Sequence, residues 1–117
     1  MEISAKQTVD RICKALSEKQ AIDIKIISVA TLTDIADYFI IASGKSVPQV
    51  KAIFDNLEEK LEAEEIFCRR KEGYADGKWI AADYGNIIVH IFNQSTREFY
   101  QLDKLWNSGN NITTYTD

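Results

Sequence analysis

Residues 79–92 read WIAADYGNIIVHIF, and this segment decides the fold. Its residues are almost all apolar, and the pair Gly85-Asn86 divides it into two halves of strand length. A Gly-Asn pair between two runs of β-prone residues is typical of a two-residue hairpin turn. We therefore predict two antiparallel strands joined at Gly85-Asn86. A hairpin with one face in water would alternate apolar and polar residues, so this pattern predicts that both faces meet other groups.

The two-residue turn also predicts a register, because opposed residues in a hairpin point to the same side of the sheet. One face then carries side chains typical of a core: Ile80, Ala82, Tyr84, Ile87, Val89 and Ile91. The other face combines two large aromatic rings, a carboxylate and the chain's single histidine with small or aliphatic residues: Trp79, Ala81, Asp83, Ile88, His90 and Phe92. A slip of one residue would exchange the two faces.

The second face has the composition of the centre of a protein–protein interface, where aromatic residues are enriched among a few polar groups. Trp79 and Phe92 are the natural anchors, since each large ring removes roughly 150–250 Å² from water when it is covered. We therefore predict that these six residues bind a partner protein. The alternative is that another helix of the same chain covers this face, with His90 hydrogen-bonded inside.

Hydrophobic spacing predicts a small α/β domain around the hairpin. The predicted elements are a helix over 4–19, a strand from 22 to about 29, an apolar strand over 38–42, a helix capped by Ser46, a strand over 66–71, the hairpin, and a helix over 96–106. Ser4 with Gln7, and Ser46 with Gln49, have the spacing of capping boxes. The order αββαβββα predicts an α+β sandwich with a mixed five-stranded sheet. We expect residues 1–106 to form a single domain and 107–117 a polar, frayed tail.

Composition narrows the classes of partner. Fourteen basic residues against 18 acidic ones give a net charge of -4, whereas a primary nucleic-acid binder needs clustered Lys and Arg. The charge is better suited to a basic protein surface. We find no signal segment and no apolar run near the ~20 residues of a membrane span, so we expect no membrane partner and a cytoplasmic location. Cys13 and Cys68 form no C-x-x-C pair, which argues against zinc and a disulfide framework.

Catalytic signals are weak. Residues 43–46 read SGKS, but Phe39 stands where a phosphate-binding loop needs its first glycine, so chain reversal and helix capping explain the segment better. The carboxylates Asp34 and Asp37 precede a strand in a turn, and no strand carries an Asp-x-Asp pair for a metal. We therefore predict no catalytic residue, no metal and no cofactor. The alternative is a nucleotide-binding enzyme that uses the turn at Gly44-Lys45-Ser46.

Three blocks of the sequence together resemble the Iojap family, the ribosomal silencing factors. The blocks are DYFIIASGKS (37–46), W-x-x-x-DYGN-x-x-VHIF (79–92) and R-x-x-Y-x-L-x-x-LW (97–106). The resemblance spans about residues 5–106. It implies a compact fold related to nucleotidyltransferases but without their activity.

The resemblance also implies a function, namely binding to ribosomal protein L-fourteen on the large subunit. Occupying that site blocks association with the small subunit and represses translation when nutrients are scarce. The family's interface is on the sheet side that contains Trp79, with Asp83 in the same motif. Asn86 stands where family members often have aspartate, so an ionic contact from that turn is in question. A homodimer through the aromatic face is a third interpretation, compatible with ribosome binding if the dimer opens first.

Overall fold

The structure is a computed structural model that describes residues 4–117. Its elements in chain order are α1 (Ala5–Glu18), β1 (Ile22–Ser28), β2 (Tyr38–Gly44), α2 (Val47–Glu62), β3 (Arg70–Glu72), β4 (Trp79–Asp83), β5 (Ile87–Asn93), α3 (Gln94–Tyr100), α4 (Leu102–Leu105) and β6 (Ile112–Thr114). The strands form one mixed sheet in the order β3-β4-β5-β2-β1-β6. The predicted fold class is confirmed, with six strands in place of five.

The helices α1 and α2 cover one face of the sheet and enclose the main core. The apolar stripes of both helices pack on the inward side chains of the strands, among them Leu16, Phe54, Ile80 and Val89, which are all buried. Cys13 is part of this core, and burial raises the pKa of its thiol to about 12. Both cysteines are free thiols; Cys13 is buried, while Cys68 is half-buried just before β3.

The N-terminus of each long helix is capped by the predicted serine. Ser4 accepts a hydrogen bond from the Gln7 amide, and the Gln7 side chain accepts one from the Ser4 amide, so this capping box is confirmed. Ser46 likewise accepts from the Gln49 amide. The Gln49 side chain, however, accepts from the amide of Lys45 and not from that of Ser46. The second predicted box is therefore half wrong, because the glutamine side chain reaches one residue further back along the chain.

The hairpin has the predicted register. Trp79 pairs with Phe92, Ala81 with His90 and Asp83 with Ile88. The Tyr84 amide donates to the Ile87 carbonyl over 2.9 Å, which closes a two-residue turn with Gly85 at φ +91°. A positive φ is easily adopted by glycine, which explains the Gly-Asn pair. The strand β5 also pairs in parallel with β2, so the hairpin is joined directly to the buried centre of the sheet.

Residues 94–117 fold differently from the prediction in two places. The predicted single helix over 96–106 is two helices, because Gln101 adopts a left-handed conformation with φ +50°. The predicted frayed tail instead forms β6, which pairs with β1 from Lys25 to Ile27. Asn111 secures this pairing, since its side-chain amide donates to the Ser28 carbonyl. The sixth strand thus covers the edge of β1 that a five-stranded sheet would leave open.

The third strand is also shorter and later than predicted. Residues 66–69 lie outside the sheet because the chain is still turning at the end of α2, where the Ile66 amide donates to the Leu61 carbonyl and Glu65 has φ +62°. Pairing starts only at Arg70, opposite Asp83, and ends at Glu72, opposite Ala81. The short edge strand therefore places Arg70 and Glu72 on the same face as the residues predicted to bind a partner.

Candidate protein-binding surface

The second face of the hairpin is divided between a small core and an open surface. Phe92 is 0% exposed and belongs to a cluster formed by Ile27, Val29, Ala36, Phe39 and Ile41, with Leu102, Trp106 and Ile112 packed against it. The break at Gln101 allows α4 to turn back over the strands, and the Trp106 ring meets the Phe39 ring edge-on at 5.0 Å. The prediction that Phe92 is an exposed anchor is therefore wrong, because the C-terminal helices bury it.

Five of the six predicted residues remain accessible at the surface. We call Trp79, Ala81, Asp83, Ile88 and His90 the candidate surface; all five side chains are half-buried. The alternative prediction is that a helix of the same chain covers this face. It is wrong for the five residues of the candidate surface and right for Phe92. Buried Phe92 supports the candidate surface from beneath, where its ring stacks on Trp79 with centroids 4.8 Å apart.

Trp79 is held in place by contacts on several sides. Its ring also lies 4.9 Å from that of Tyr100. The indole Nε1 donates a hydrogen bond of 3.1 Å to Nδ1 of His90, which lies diagonally across the hairpin. A large ring fixed before a partner arrives loses little rotational freedom on binding, which favours affinity.

His90 is a neutral side chain within this arrangement. Burial lowers its pKa to about 4, so the ring carries no charge at neutral pH. It meets the Phe39 ring edge-on at 5.4 Å. The sequence-based alternative of a hydrogen-bonded histidine is confirmed in part, since His90 is bonded to Trp79 and yet is not covered by a helix.

The candidate surface contains a shallow pocket of about 290 Å³. Ala81, Ile88 and His90 line it together with Asp83, and Arg70 and Glu72 of β3 form its rim. Arg70 is paired with Glu72 at 2.7 Å. The sequence did not predict that Arg70 and Glu72 lie beside the candidate surface. The predicted third strand, 66–71, had no predicted register with β4, and no local signal shows that residues 70–72 are the ones that pair.

A second, wider groove of about 570 Å³ lies on the other side of Trp79. The aromatic rings of Phe99 and Tyr100 line it, together with Asp76 and Lys78. Phe99 is 80% exposed and Tyr100 is 51% exposed, and their rings lie 5.1 Å apart, so the groove contains a contiguous aromatic patch. Trp79 lines this groove and bonds to His90, which lines the pocket, so the two depressions are neighbours on the surface between β3 and α3.

The comparisons with known proteins identify the family. The sequence profile described as "Ribosomal silencing factor during starvation" matches residues 2–117. The chain belongs to the ribosomal silencing factor family. The resemblance drawn from the three sequence blocks is therefore confirmed.

Similar proteins are found in bacteria and in mouse. A ribosomal silencing factor of Bacillus subtilis is 34% identical over 92 residues, which cover 79% of this chain and 78% of that protein. The mouse protein named "Mitochondrial assembly of ribosomal large subunit protein 1" is 32% identical over 109 residues, covering 89% of this chain and 47% of the mouse protein. A crystal structure of a Chromobacterium violaceum protein superposes with a TM-score of 0.87 at 25% identity, covering 98% of this chain and 95% of that one.

The closing motif of this silencing factor contains a buried ion pair that the residue patterns alone did not reveal. Arg97 is 8% exposed, and its guanidinium donates to the Asp23 carbonyl at 2.7 Å and to the Ser43 hydroxyl at 2.9 Å. Two further bonds, of 2.7 and 3.3 Å, reach the carboxylate of Asp103. Burial raises the pKa of the Asp103 carboxyl, but the bonds and charge of Arg97 outweigh it, so the net shift is downward. Arg97 therefore ties α3 and α4 to β1 and β2.

The SGKS segment has a structural role in this fold. Ser46 caps α2, as described above, and a Cβ added at Gly44 would come within 3.0 Å of the Val50 side chain. The glycine therefore permits close packing of β2 on α2. Within residues 4–117, no three His, Cys, Asp or Glu side chains come together as metal ligands. Every helix in the same range is too short or too polar to cross a membrane.

Proposed function

We propose that this silencing factor binds ribosomal protein L-fourteen of the large subunit through the candidate surface and sterically blocks association with the small subunit, which represses translation without catalysis. The observation that carries the proposal is the candidate surface itself, an aromatic and partly charged sheet face left open by the chain's own helices. An interface centre has this composition. A cytoplasmic location follows from this role.

Charge supports a basic ribosomal protein as the partner. The chain has a net charge of -4, and Asp83 on the candidate surface forms no ion pair within residues 4–117. Opposite potentials steer two such surfaces together and raise the association rate. The mouse relative's name refers to the large ribosomal subunit, which favours that subunit as the site of binding.

The adjoining groove enlarges the area that a partner can cover. A standard interface covers about 800 Å² on each partner, more than the five half-buried residues of the candidate surface supply. The adjoining groove adds Phe99 and Tyr100, which extend the contact onto α3. The body behind this surface measures 35 × 34 × 27 Å, so a bound molecule is bulky enough to separate two subunit faces.

Sedimentation of ribosomal subunits tests this function. Purified large and small subunits are mixed with magnesium and an excess of the protein, and the fraction that forms whole ribosomes is measured on a sucrose gradient. We expect the wild-type protein to migrate with the large subunit and to reduce joining. Normal joining in the presence of excess protein would contradict the proposal.

The Trp79→Ala variant tests the surface. We expect it to weaken binding to large subunits by about 2 kcal/mol or more, which is roughly 30-fold, because the change removes a central anchor. Tyr74→Ala is the matched control. It also truncates an aromatic side chain, but one that packs on the main core and Phe54 at the opposite face of the sheet. Equal binding by both variants would remove Trp79 from the interface.

A further inference from the structure

The hydrogen bond between Trp79 and His90 determines where the proton of the histidine resides. An indole Nε1–H is a donor and cannot accept. Since Trp79 Nε1 lies 3.1 Å from His90 Nδ1, Nδ1 must present a lone pair. A neutral imidazole carries one proton, which is therefore on Nε2.

The environment of His90 favours this neutral form at neutral pH. The ring packs between the aromatic groups of Phe39 and Trp79, and burial lowers its pKa to about 4. The charged groups that line the pocket with it are Asp83, Glu72 and Arg70. None of the three forms a hydrogen bond or ion pair with the imidazole.

The Nε2–H group is available to an external acceptor. Within residues 4–117, no acceptor bonds to it. In that range, the Tyr84 hydroxyl alone is a fully buried side-chain nitrogen or oxygen atom without a hydrogen-bond partner. Nε2 of His90 also has no partner, but it is not fully buried, so it retains contact with solvent. His90 lines the pocket of the candidate surface, and since Nδ1 is bonded to Trp79, Nε2–H is the donor that this side chain can offer to a partner there.

An acceptor lies near this donor in the same pocket. Asp83 Oδ1 accepts from the Gly85 amide at 2.7 Å, which leaves Oδ2 free to accept. Arg70 is opposite Asp83 in the sheet but pairs with Glu72. Asp83 and His90 are diagonal neighbours across the hairpin, and such residues are about 7–8 Å apart. Ala81 and Ile88 complete the apolar floor.

We propose that His90 donates a hydrogen bond from Nε2 to a main-chain carbonyl of the protein partner, while Asp83 binds a basic side chain of the same segment. A neutral carbonyl suits the donor better than a carboxylate, which Asp83 and Glu72 would repel. Trp79 is then a positioning residue as well as an anchor, because its indole fixes the histidine tautomer. This inference rests on the proposed function and specifies the chemistry of the partner segment.

Nuclear magnetic resonance of the free protein tests the tautomer directly. His90 is the single histidine of the sequence, so labelled imidazole nitrogens give one pair of signals without assignment. We expect the shifts of the Nε2-protonated tautomer at pH 7. In Trp79→Phe, which keeps a ring but lacks the indole donor, we expect this preference to weaken. A wild-type ring protonated at Nδ1 would overturn the inference.

Binding by two substitutions tests the donor. His90→Phe keeps a ring of similar size without the N–H group, and His90→Gln places an amide donor near the position of Nε2. Against isolated ribosomal protein L-fourteen, we expect His90→Phe to raise Kd about 5- to 10-fold and His90→Gln to restore most of the loss. Wild-type Kd in His90→Phe, or equal losses in both variants, would contradict a donor role.

Two controls separate this inference from the proposed function. If the wild-type protein binds neither L-fourteen nor large subunits, the proposed function and the inference both fail. If the wild type binds and His90→Phe binds equally well, only the inference fails. If His90→Phe does not fold, the nuclear magnetic resonance signal of the Nε2–H proton in the wild-type protein tests the contact instead. We expect it to shift downfield and exchange more slowly with water when L-fourteen is added, and an unchanged signal would refute the contact.

Discussion

Replacing Arg97 by alanine gives the sharpest test of how the candidate surface is supported. The side chain is 9% exposed and is paired with Asp103, whose side chain is 25% exposed. Removing one member of a buried ion pair typically costs about 3–5 kcal/mol, because its partner is left unpaired. Water reaches Asp103 and also Asp23, whose side chain is 53% exposed. We therefore expect the lower end of that range, about 3 kcal/mol.

Urea and thermal denaturation followed by far-ultraviolet circular dichroism measure this loss. A decrease of about 3 kcal/mol in the free energy of unfolding corresponds to a melting temperature lower by roughly 10–15 °C for a domain of this length. Arg97→Lys keeps the charge but not the two-pronged bond to Asp103, so we expect an intermediate loss. Arg70→Ala is the matched control, since its side chain is 76% exposed and its loss should stay within about 0.5 kcal/mol.

The refuting result is a loss below about 1 kcal/mol in Arg97→Ala. That value is typical of an exposed ion pair, and it would mean that Arg97 does not hold the C-terminal helices on the sheet. A double-mutant cycle with Asp103→Ala provides a second check, because residues that contact each other should have non-additive effects. Additive effects would contradict the pairing.

The remaining predictions concern the C-terminal strand and the histidine. Removing residues 107–117 deletes the pairing of β6 with β1 and the contact of half-buried Ile112 with the smaller core. We therefore expect the free energy of unfolding, measured in urea, to fall by about 2–4 kcal/mol. An unchanged urea midpoint would show that the strand contributes nothing to stability. The pKa of His90 is about 4 in the folded protein and about 6.5 in the unfolded chain. As the pH falls, the unfolded chain therefore binds a proton at His90 before the folded protein does. Stability should decrease from about pH 6.5 to about pH 4, by up to about 3 kcal/mol, and His90→Gln should lack this part of the pH dependence; identical profiles for the two proteins would contradict it.

The sequence predicts best where a short local signal determines a long-range arrangement. The Gly85-Asn86 turn is such a signal, since a two-residue loop leaves one register and thereby assigns every side chain of the hairpin to a face. The serine caps of α1 and α2 are similarly local. These features depend on the interactions of adjacent residues, so a single sequence is sufficient to infer them.

The sequence predicts least where the outcome depends on contacts with distant segments. The pattern of the hairpin does not show that Phe92 is covered, because covering depends on the path of α4. That path in turn follows from a left-handed residue at Gln101, and glutamine gives no signal for such a conformation. Arg97 was visible as part of a family motif, but its buried pairing with Asp103 required the folded geometry.

The position of β6 has a practical consequence for experiments. It lies at the opposite edge of the sheet from β3, and four strand spacings of about 4.8 Å separate it from β4, which carries Trp79. A fluorophore attached at Thr113, an exposed residue of β6, would therefore lie on the order of 19 Å or more from the ring of Trp79. Such a label would leave the docking region unmodified and would be close enough to report, through energy transfer, the arrival of an acceptor-labelled partner.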